Sequence, residues 1–585
     1  MIDLSRKETG EMKFFHVYNE EYFEGLEKNN LINRDTGFKL QHCFPLQDNI
    51  KFNRLAAKGS KLHSLIKNGS YPFYIDRIAG GVTYHKYDFD FSLLHEYENI
   101  LGKWFLGIQL HESASNRNND WRNLGIYMNG ETGPFDLEAL KKNSLRSHTR
   151  LPDGTILYGF SQGTPEEYAP MRKAVTVNEY INEIETMYNK YMRQADGYIL
   201  PCDSYYLFTN MQNRLGMRTF MPEVGCQIPL MRLAVSLTRG MASLHNKLWG
   251  TYYETWIYSS GKHSMPCYNT DPGNEWYLTQ ESHKDDFTSF GENGGSSRYL
   301  QRRIYYYTLM SGADYMAEEW GLNCSYRSMK TFELSPYGEA KKEFIDFTQK
   351  YRDIKAVIPF AIVLPRKYEC VEITGSAQPY QIGVYRDMYM QHIMNEDEKK
   401  LVNHVEDVLK LSFARDPDKI FGNEGHTLTN SRFGDLFDII YEDADEAELK
   451  KYSALIDAST DNAFACSHSD LKVFTSDDLD RLAHDIENES KRILPCYADS
   501  LHWILSTNEE GRRFISVFNN EGNDRTIEYG DKLAKEADAS VNITFKESVN
   551  LKCIKCGTAG MTINKKDDCH YVVDIPAAGF AIFEY

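Results

Sequence analysis

The first 356 residues alternate short apolar runs with long helical patterns, and this alternation limits the possible folds more than any other feature of the chain. Strand-like runs are predicted at Phe38–Phe44, Pro72–Asp76, Trp104–Leu110, Gly197–Leu200, Thr219–Glu223, Leu248–Glu254 and Ala313–Glu318. A shorter run at Lys330–Leu334 makes eight. Between several of them the apolar residues fall three or four apart. In the stretch from Val175 to Ala195 they are Tyr180, Ile181, Ile184, Met187, Tyr188 and Tyr191, which is the spacing of an amphipathic helix. The stretches Ile228–Asn246 and Arg298–Ser311 behave alike. Eight strands separated by helices point to a (β/α)8 TIM barrel, with a doubly wound open sheet as the competing arrangement.

The texture changes twice more. From Val357, Ile358–Pro365, Leu436–Ile440, Ala454–Asp457 and Leu471–Phe474 read as strands, with helices at Glu396–Leu411, Ala444–Tyr452 and Ser476–Ile486. This is the pattern of a small flavodoxin-like α/β domain. It has no glycine-rich phosphate turn, so nothing supports nucleotide binding. From Pro495 the helices stop, and short alternating runs such as Leu501–Leu505, Arg513–Phe518 and Gly579–Tyr585 are separated by turn clusters. That predicts an antiparallel β-sandwich. The expected domains are 1–356, 357–494 and 495–585, within the three or four that 585 residues allow.

The chain carries 66 Lys+Arg against 84 Asp+Glu, a net charge of −18, which argues against nucleic acid and anionic membranes as partners. With 39 Tyr, 31 Phe and 7 Trp it has the apolar surface that disordered chains lack. No leader-like or membrane-spanning apolar run is visible. An odd count of 11 cysteines suits a reduced compartment, so a cytoplasmic location is expected. Cys553, Cys556, Cys569 and His570 could in principle hold zinc, but the last two are adjacent and the flanks read as hairpin strands. No metal or cofactor is expected.

In a barrel of this kind the chemistry sits at the C-terminal ends of the strands. Three predicted strands end in or beside glutamate: Glu223, Glu254, and the pair Glu318-Glu319. Hydrolysis of a glycosidic bond needs two carboxyl groups, one to protonate the leaving oxygen and one to attack or to activate water. Glu223, Glu254 and Glu319 are the catalytic candidates. An adjacent Glu318-Glu319 requires one of the two to point elsewhere, since neighbours on a strand face opposite ways. Asp76, His111, Glu112, Asn116 and Asp203 at or after the ends of earlier strands, with Glu318 and Trp320 beside Glu319, are candidates for binding substrate. The segment Trp249–Gly295 brings Trp256, His263 and Trp276 in a long irregular loop, suited to stacking on sugar faces or to packing between domains. The tyrosines of Arg298–Tyr307 read as core, and the acidic stretch Glu442–Glu448 as a solvated helix start.

The expected barrel with late-strand glutamates, the flavodoxin-like domain and the terminal sandwich together resemble clan-A-type glycoside hydrolases. In domain order the chain is similar to family 42 β-galactosidases. The segment Phe332–Gly338, then Lys342–Phe347 and Ile358–Leu364, resembles the stretch leaving the barrel in those enzymes. The resemblance implies a glycosidase acting on a small oligosaccharide or glycoside, with a galactosidase-like exo-enzyme and a homo-oligomer as what that family would suggest. It places a nucleophile at Glu318 or Glu319, with Glu319 preferred because Trp320-Gly321 follows it. That clan carries Asn-Glu at the end of strand four, and no predicted strand end reads so; Asn274-Glu275 lies in the long loop. The acid/base is therefore not carried over, and a divergent or distinct family is expected. Two further readings stay open. One is a glycoside phosphorylase, with Arg117, Arg298 and Arg302 as phosphate-binding candidates. The other is a non-catalytic carbohydrate-binding or scaffold protein.

Overall fold

The computed structural model describes residues 11–40, 52–79, 90–114, 117, 120, 133–144, 148–150, 154, 156–158, 160, 163–172, 174–203, 208–225, 231–254, 297–319, 325–328, 330–370, 393–414, 428–526 and 530–585. Eight parallel strands form a nearly closed barrel. They are β1 (Lys13–Val17), β2 (Thr36–Leu40), β3 (Phe73–Ala79), β4 (Phe105–His111), β5 (Ile199–Cys202), β6, β7 (Leu248–Glu254) and β8 (Tyr315–Glu318). The sixth comes in two pieces, Thr219–Phe220 and Glu223–Gly225, both paired with β7. Pairing runs β5-β4-β3-β2-β1-β8-β7-β6. Across the remaining seam the Glu223 N–H donates to the Asp203 carbonyl at 3.2 Å.

Two differences from the expected strand list matter. Lys13–Val17 is the first strand, although its sequence, KFFHV, carries a lysine and a histidine. Those two are satisfied locally: Lys13 pairs with Asp35 at 3.1 Å, and the His16 ring bonds the Leu31 carbonyl. Burial pushes the His16 imidazole down to about 3, so it is neutral. Conversely, Lys330–Leu334 makes only an isolated bridge between Leu334 and Tyr326. Its end is committed to a helix start instead, with Ser335 capping Pro336–Lys350 by accepting from the Gly338 N–H. The expected total of eight strands holds, but every expected strand from Phe38–Phe44 to Ala313–Glu318 moves up one place in the order. Strand Phe105–His111 is the fourth, not the third.

Successive side chains alternate between the barrel interior and the helical layer. Phe15, Tyr74, Leu106, Leu200, Met221, Tyr252 and Tyr315 fill the inside. Gly37 and Gly250 make room for those rings, since a Cβ there would lie 2.8 Å from Phe15 and 2.3 Å from Tyr315. On the outside, Phe14 packs on Tyr305 and Phe344.

Beyond the barrel, Phe360–Leu364, Phe437–Tyr441, Ala454–Asp457 and Val473–Phe474 form a four-stranded parallel sheet. In chain order its strands lie 2-1-3-4. Among the described residues the C-terminal part has two main antiparallel sheets, of five and four strands, and a two-stranded one formed by Asn523–Thr526 and Gly530–Leu533. Strand Ala539–Phe545 buries Val541, Ile543 and Phe545 and exposes the residues between. Tyr497 packs on Trp503 and Phe545 on Tyr585 between the two sheets. The five-stranded sheet begins with Lys355–Ala356, so two residues assigned above to the barrel pair with Ser506 and Thr507 of the last domain.

Three consecutive buried tyrosines of helix Arg298–Met310 join all three parts. Tyr305 donates to Glu318 at the barrel, Tyr306 packs on Phe580 with tilted rings, and Tyr307 donates to Asp435. Helix Met231–His245 adds Arg239, whose Nε donates to Asp438 at 2.7 Å. Among the described residues no helix is long and apolar enough to cross a membrane.

Candidate active site

The C-terminal ends of β4, β6 and β8 bring four charged or titratable side chains together. His111 is the last residue of β4, and its Nε2 lies 3.7 Å from Glu112, 3.8 Å from Glu223 and 3.8 Å from Glu319. These separations exceed hydrogen-bond length but lie within ion-pair reach. The Glu223 and Glu319 oxygens can be no farther apart than twice 3.8 Å, because both face one nitrogen.

Each residue is positioned by its strand. Glu319 follows β8 on the parity of Tyr315 and Ala317, which line the barrel interior, and its N–H donates to the Tyr253 carbonyl. Glu223 is aligned with Tyr252 of β7 and is 1% exposed. His111 meets the Tyr252 ring edge-on at 5.5 Å. The Gln109 amide nitrogen is 3.1 Å from His111 Nδ1. With the amide as donor, the ring proton sits on Nε2, toward the three carboxylates. Glu112 holds φ at +47°, a left-handed conformation that costs a non-glycine residue about 1–2 kcal/mol and collects at functional sites.

Beneath this group lies an ion pair that the sequence reading did not include. Lys39 Nζ is 2.9 Å from Asp76, and both side chains are buried. The same ammonium is 3.4 Å from the Glu319 carbonyl and 4.9 Å from the Tyr252 ring centre. The available signal was a lysine inside an apolar strand, Phe38-Lys39-Leu40, where alternation sends it opposite to its neighbours.

The other candidates lie elsewhere. Glu318 faces the helical layer, where it accepts from Tyr305 and from Tyr337 (2.7 Å) and pairs with Lys341 at 2.5 Å. This placement corrects the expectation that it binds substrate, for the adjacent-residue reason given above. Asp203 also turns away from the cluster. It accepts from Ser113 Oγ, the Ala114 N–H and Tyr188 OH, and burial pushes its carboxyl up to about 6. Asn116, Trp256, His263, Trp276, Trp320 and Asn274-Glu275 lie outside the described residues, and for Glu254 only the backbone is described, paired with Gly225. The arginines considered for phosphate are committed: Arg117 donates to Tyr168, Arg298 lies over the Tyr337 ring and Arg302 donates to Glu343.

Among the described residues one group has the spacing to bridge a cation. One ligand atom each from His111, Glu112 and Glu223 lies within 4.8 Å of the others. In the C-terminal part, Cys553 and Cys556 share a strand of one sheet, while His570 begins a strand of the other and bonds Asp567.

No protein-family model matches the chain, and no curated protein matches it. Among solved structures it is similar to the α-L-fucosidase isoenzyme 2 from Paenibacillus thiaminolyticus, at 8% identity and a TM-score of 0.41, over 98% of this chain and 99% of that one. It is also similar to an α-amylase from H. orenii (11% identity, TM-score 0.17, 88% and 89% covered) and to the debranching enzyme of Nostoc punctiforme (11%, 0.21, 99% and 98%). All three likenesses are loose, and the chemistry proposed below rests on the chain's own side chains.

Proposed function

We propose that the chain is a glycoside hydrolase acting on a small oligosaccharide or glycoside. The observation that carries this reading is the meeting of Glu223 and Glu319, from different strands of one barrel mouth, on the same imidazole nitrogen. Two carboxyls in that relation are the minimum equipment for cleaving an acetal: one protonates the departing oxygen, the other attacks the anomeric carbon or activates water. Burial penalises the charged form, so the more enclosed Glu223 is the better proton donor, and Glu319, 7% exposed, is the nucleophile or base. His111 Nε2–H faces both and can stabilise whichever is ionised. The divergent family 42-like domain order fits the same reading, and Glu254 remains an alternate for either role.

The test is hydrolysis of a panel of aryl and alkyl glycosides by the wild type and by E223Q, E254Q and E319Q. Loss of an acid or base costs about 10²–10⁴-fold. E319Q loses that much on every substrate, whereas E223Q loses it on alkyl glycosides and far less on aryl ones, whose leaving groups need no proton. Near-native rates in E223Q and E319Q overturn the assignment. The anomer first released distinguishes a retaining spacing of about 5 Å from an inverting spacing above about 6.5 Å.

A further inference from the structure

Glu112 is the third carboxylate at His111, and it reaches that place only through an unfavourable backbone conformation. Its own N–H donates to the Cys202 carbonyl at 2.8 Å. The next two residues are held by a single side chain. Ser113 Oγ donates to Asp203 Oδ2 at 2.8 Å, and the Ala114 N–H donates to Asp203 Oδ1 at 3.1 Å. Asp203 is anchored from behind by Tyr188 OH, also at 2.8 Å, and Gln212 Nε2 donates to that hydroxyl at 3.1 Å. Through its carbonyl the same residue receives the Glu223 N–H. Asp203 therefore stands between the turn that carries Glu112 and the segment that carries Glu223, and its carboxylate oxygens are both spent on holding the former.

We propose that Asp203 is a positioning residue, whose carboxylate clamps the Ser113-Ala114 turn and thereby keeps Glu112 left-handed and facing His111. It acts through Glu112 and touches no reacting atom. In its kinetic form this rests on the glycosidase reading; in its geometric form it does not.

The experiment uses D203N, E112Q, the double variant and S113A on the full chain. Asparagine preserves an acceptor for the Ala114 N–H but sets an NH2 group where two hydroxyls now donate. On whichever aryl glycoside the wild type hydrolyses, D203N lowers kcat by about tenfold or more, since displacing a working group by an ångström costs up to about 100-fold, and leaves KM within about twofold. In the E112Q background D203N adds no further loss. S113A reproduces part of the effect and S113T restores it, which keeps the proposal testable if D203N folds poorly. Unchanged kcat in D203N and S113A, or losses that multiply with those of E112Q, overturn it. A crystal structure of D203N or S113A decides the geometric form without substrate: Glu112 leaves positive φ and its carboxylate leaves Nε2, and a Glu112 that has not moved refutes the clamp. If the wild type hydrolyses no glycoside, the functional reading falls, and the crystallographic result alone judges Asp203.

Discussion

Two adjacent glutamates of one barrel strand should respond to the same substitution in opposite ways. Glu318 accepts from two tyrosine hydroxyls and pairs with Lys341, whose side chain is 3% exposed and also donates to Ser325 Oγ. Glutamine there keeps the volume but removes the charge, leaving a buried ammonium without its counter-ion. Breaking such a pair on one side costs about 3–5 kcal/mol. For a unit of this size, about 1 kcal/mol shifts a melting midpoint by roughly 2 °C, so E318Q should melt about 6–10 °C below the wild type. Glu319 stands in a group of three carboxylates, and neutralising one relieves like-charge repulsion. E319Q should melt at or slightly above the wild-type temperature while its turnover collapses. The assay is a thermal melt and an initial-rate measurement on each variant at one pH. E318Q, measured well below its midpoint, retains most of its activity per folded molecule. The reasoning is refuted if E318Q melts normally but is inactive, or if E319Q melts early with its turnover intact.

Two further outcomes follow from the buried charges. K39M leaves Asp76 uncompensated and should cost about 3–5 kcal/mol, whereas K39M/D76N recovers much of it; a double variant as unstable as the sum of its parts in urea unfolding counts against the pair as described. Asp203 has an ordinary value of 3.8 and a folded value of about 6, so between those pH values the folded chain keeps a proton that the unfolded chain has lost. Its contribution to stability therefore falls as pH rises through that window and is flat above it, by about 3 kcal/mol at most. The stability of D203N relative to the wild type should accordingly improve from pH 4 to pH 6, and a urea-midpoint difference that moves the other way contradicts the burial argument.

Much of the barrel is legible in the apolar periodicity, because strand alternation and helical spacing are local properties that survive without knowledge of neighbours. The error at the first strand shows where that stops. KFFHV reads as polar at two of its five positions, yet all five are buried, since Asp35 and the Leu31 carbonyl take up the lysine and the histidine. Those partners lie 22 and 15 residues away, and no window of the sequence contains the compensation together with the strand. Adding that one strand changes the rank of every following one from β2 to β8, and places His111-Glu112 at the end of strand four.

The candidate site divides in the same way. That glutamates stand at the ends of late strands, and that one of Glu318 and Glu319 must turn away, follows from the chain alone through the two-residue period of a strand. Which one turns inward does not, because both faces of a barrel strand are buried, and apolar residues on each side give no contrast between lumen and helix layer. Only the closed sheet decides it, by putting Tyr315 and Ala317 on the inner face and Met316 against the helices. The grouping of Glu112, Glu223 and Glu319 on His111 is likewise a property of barrel closure. It brings together residues about a hundred positions apart, and three carboxylates repel one another unless packing elsewhere supplies the energy that holds them.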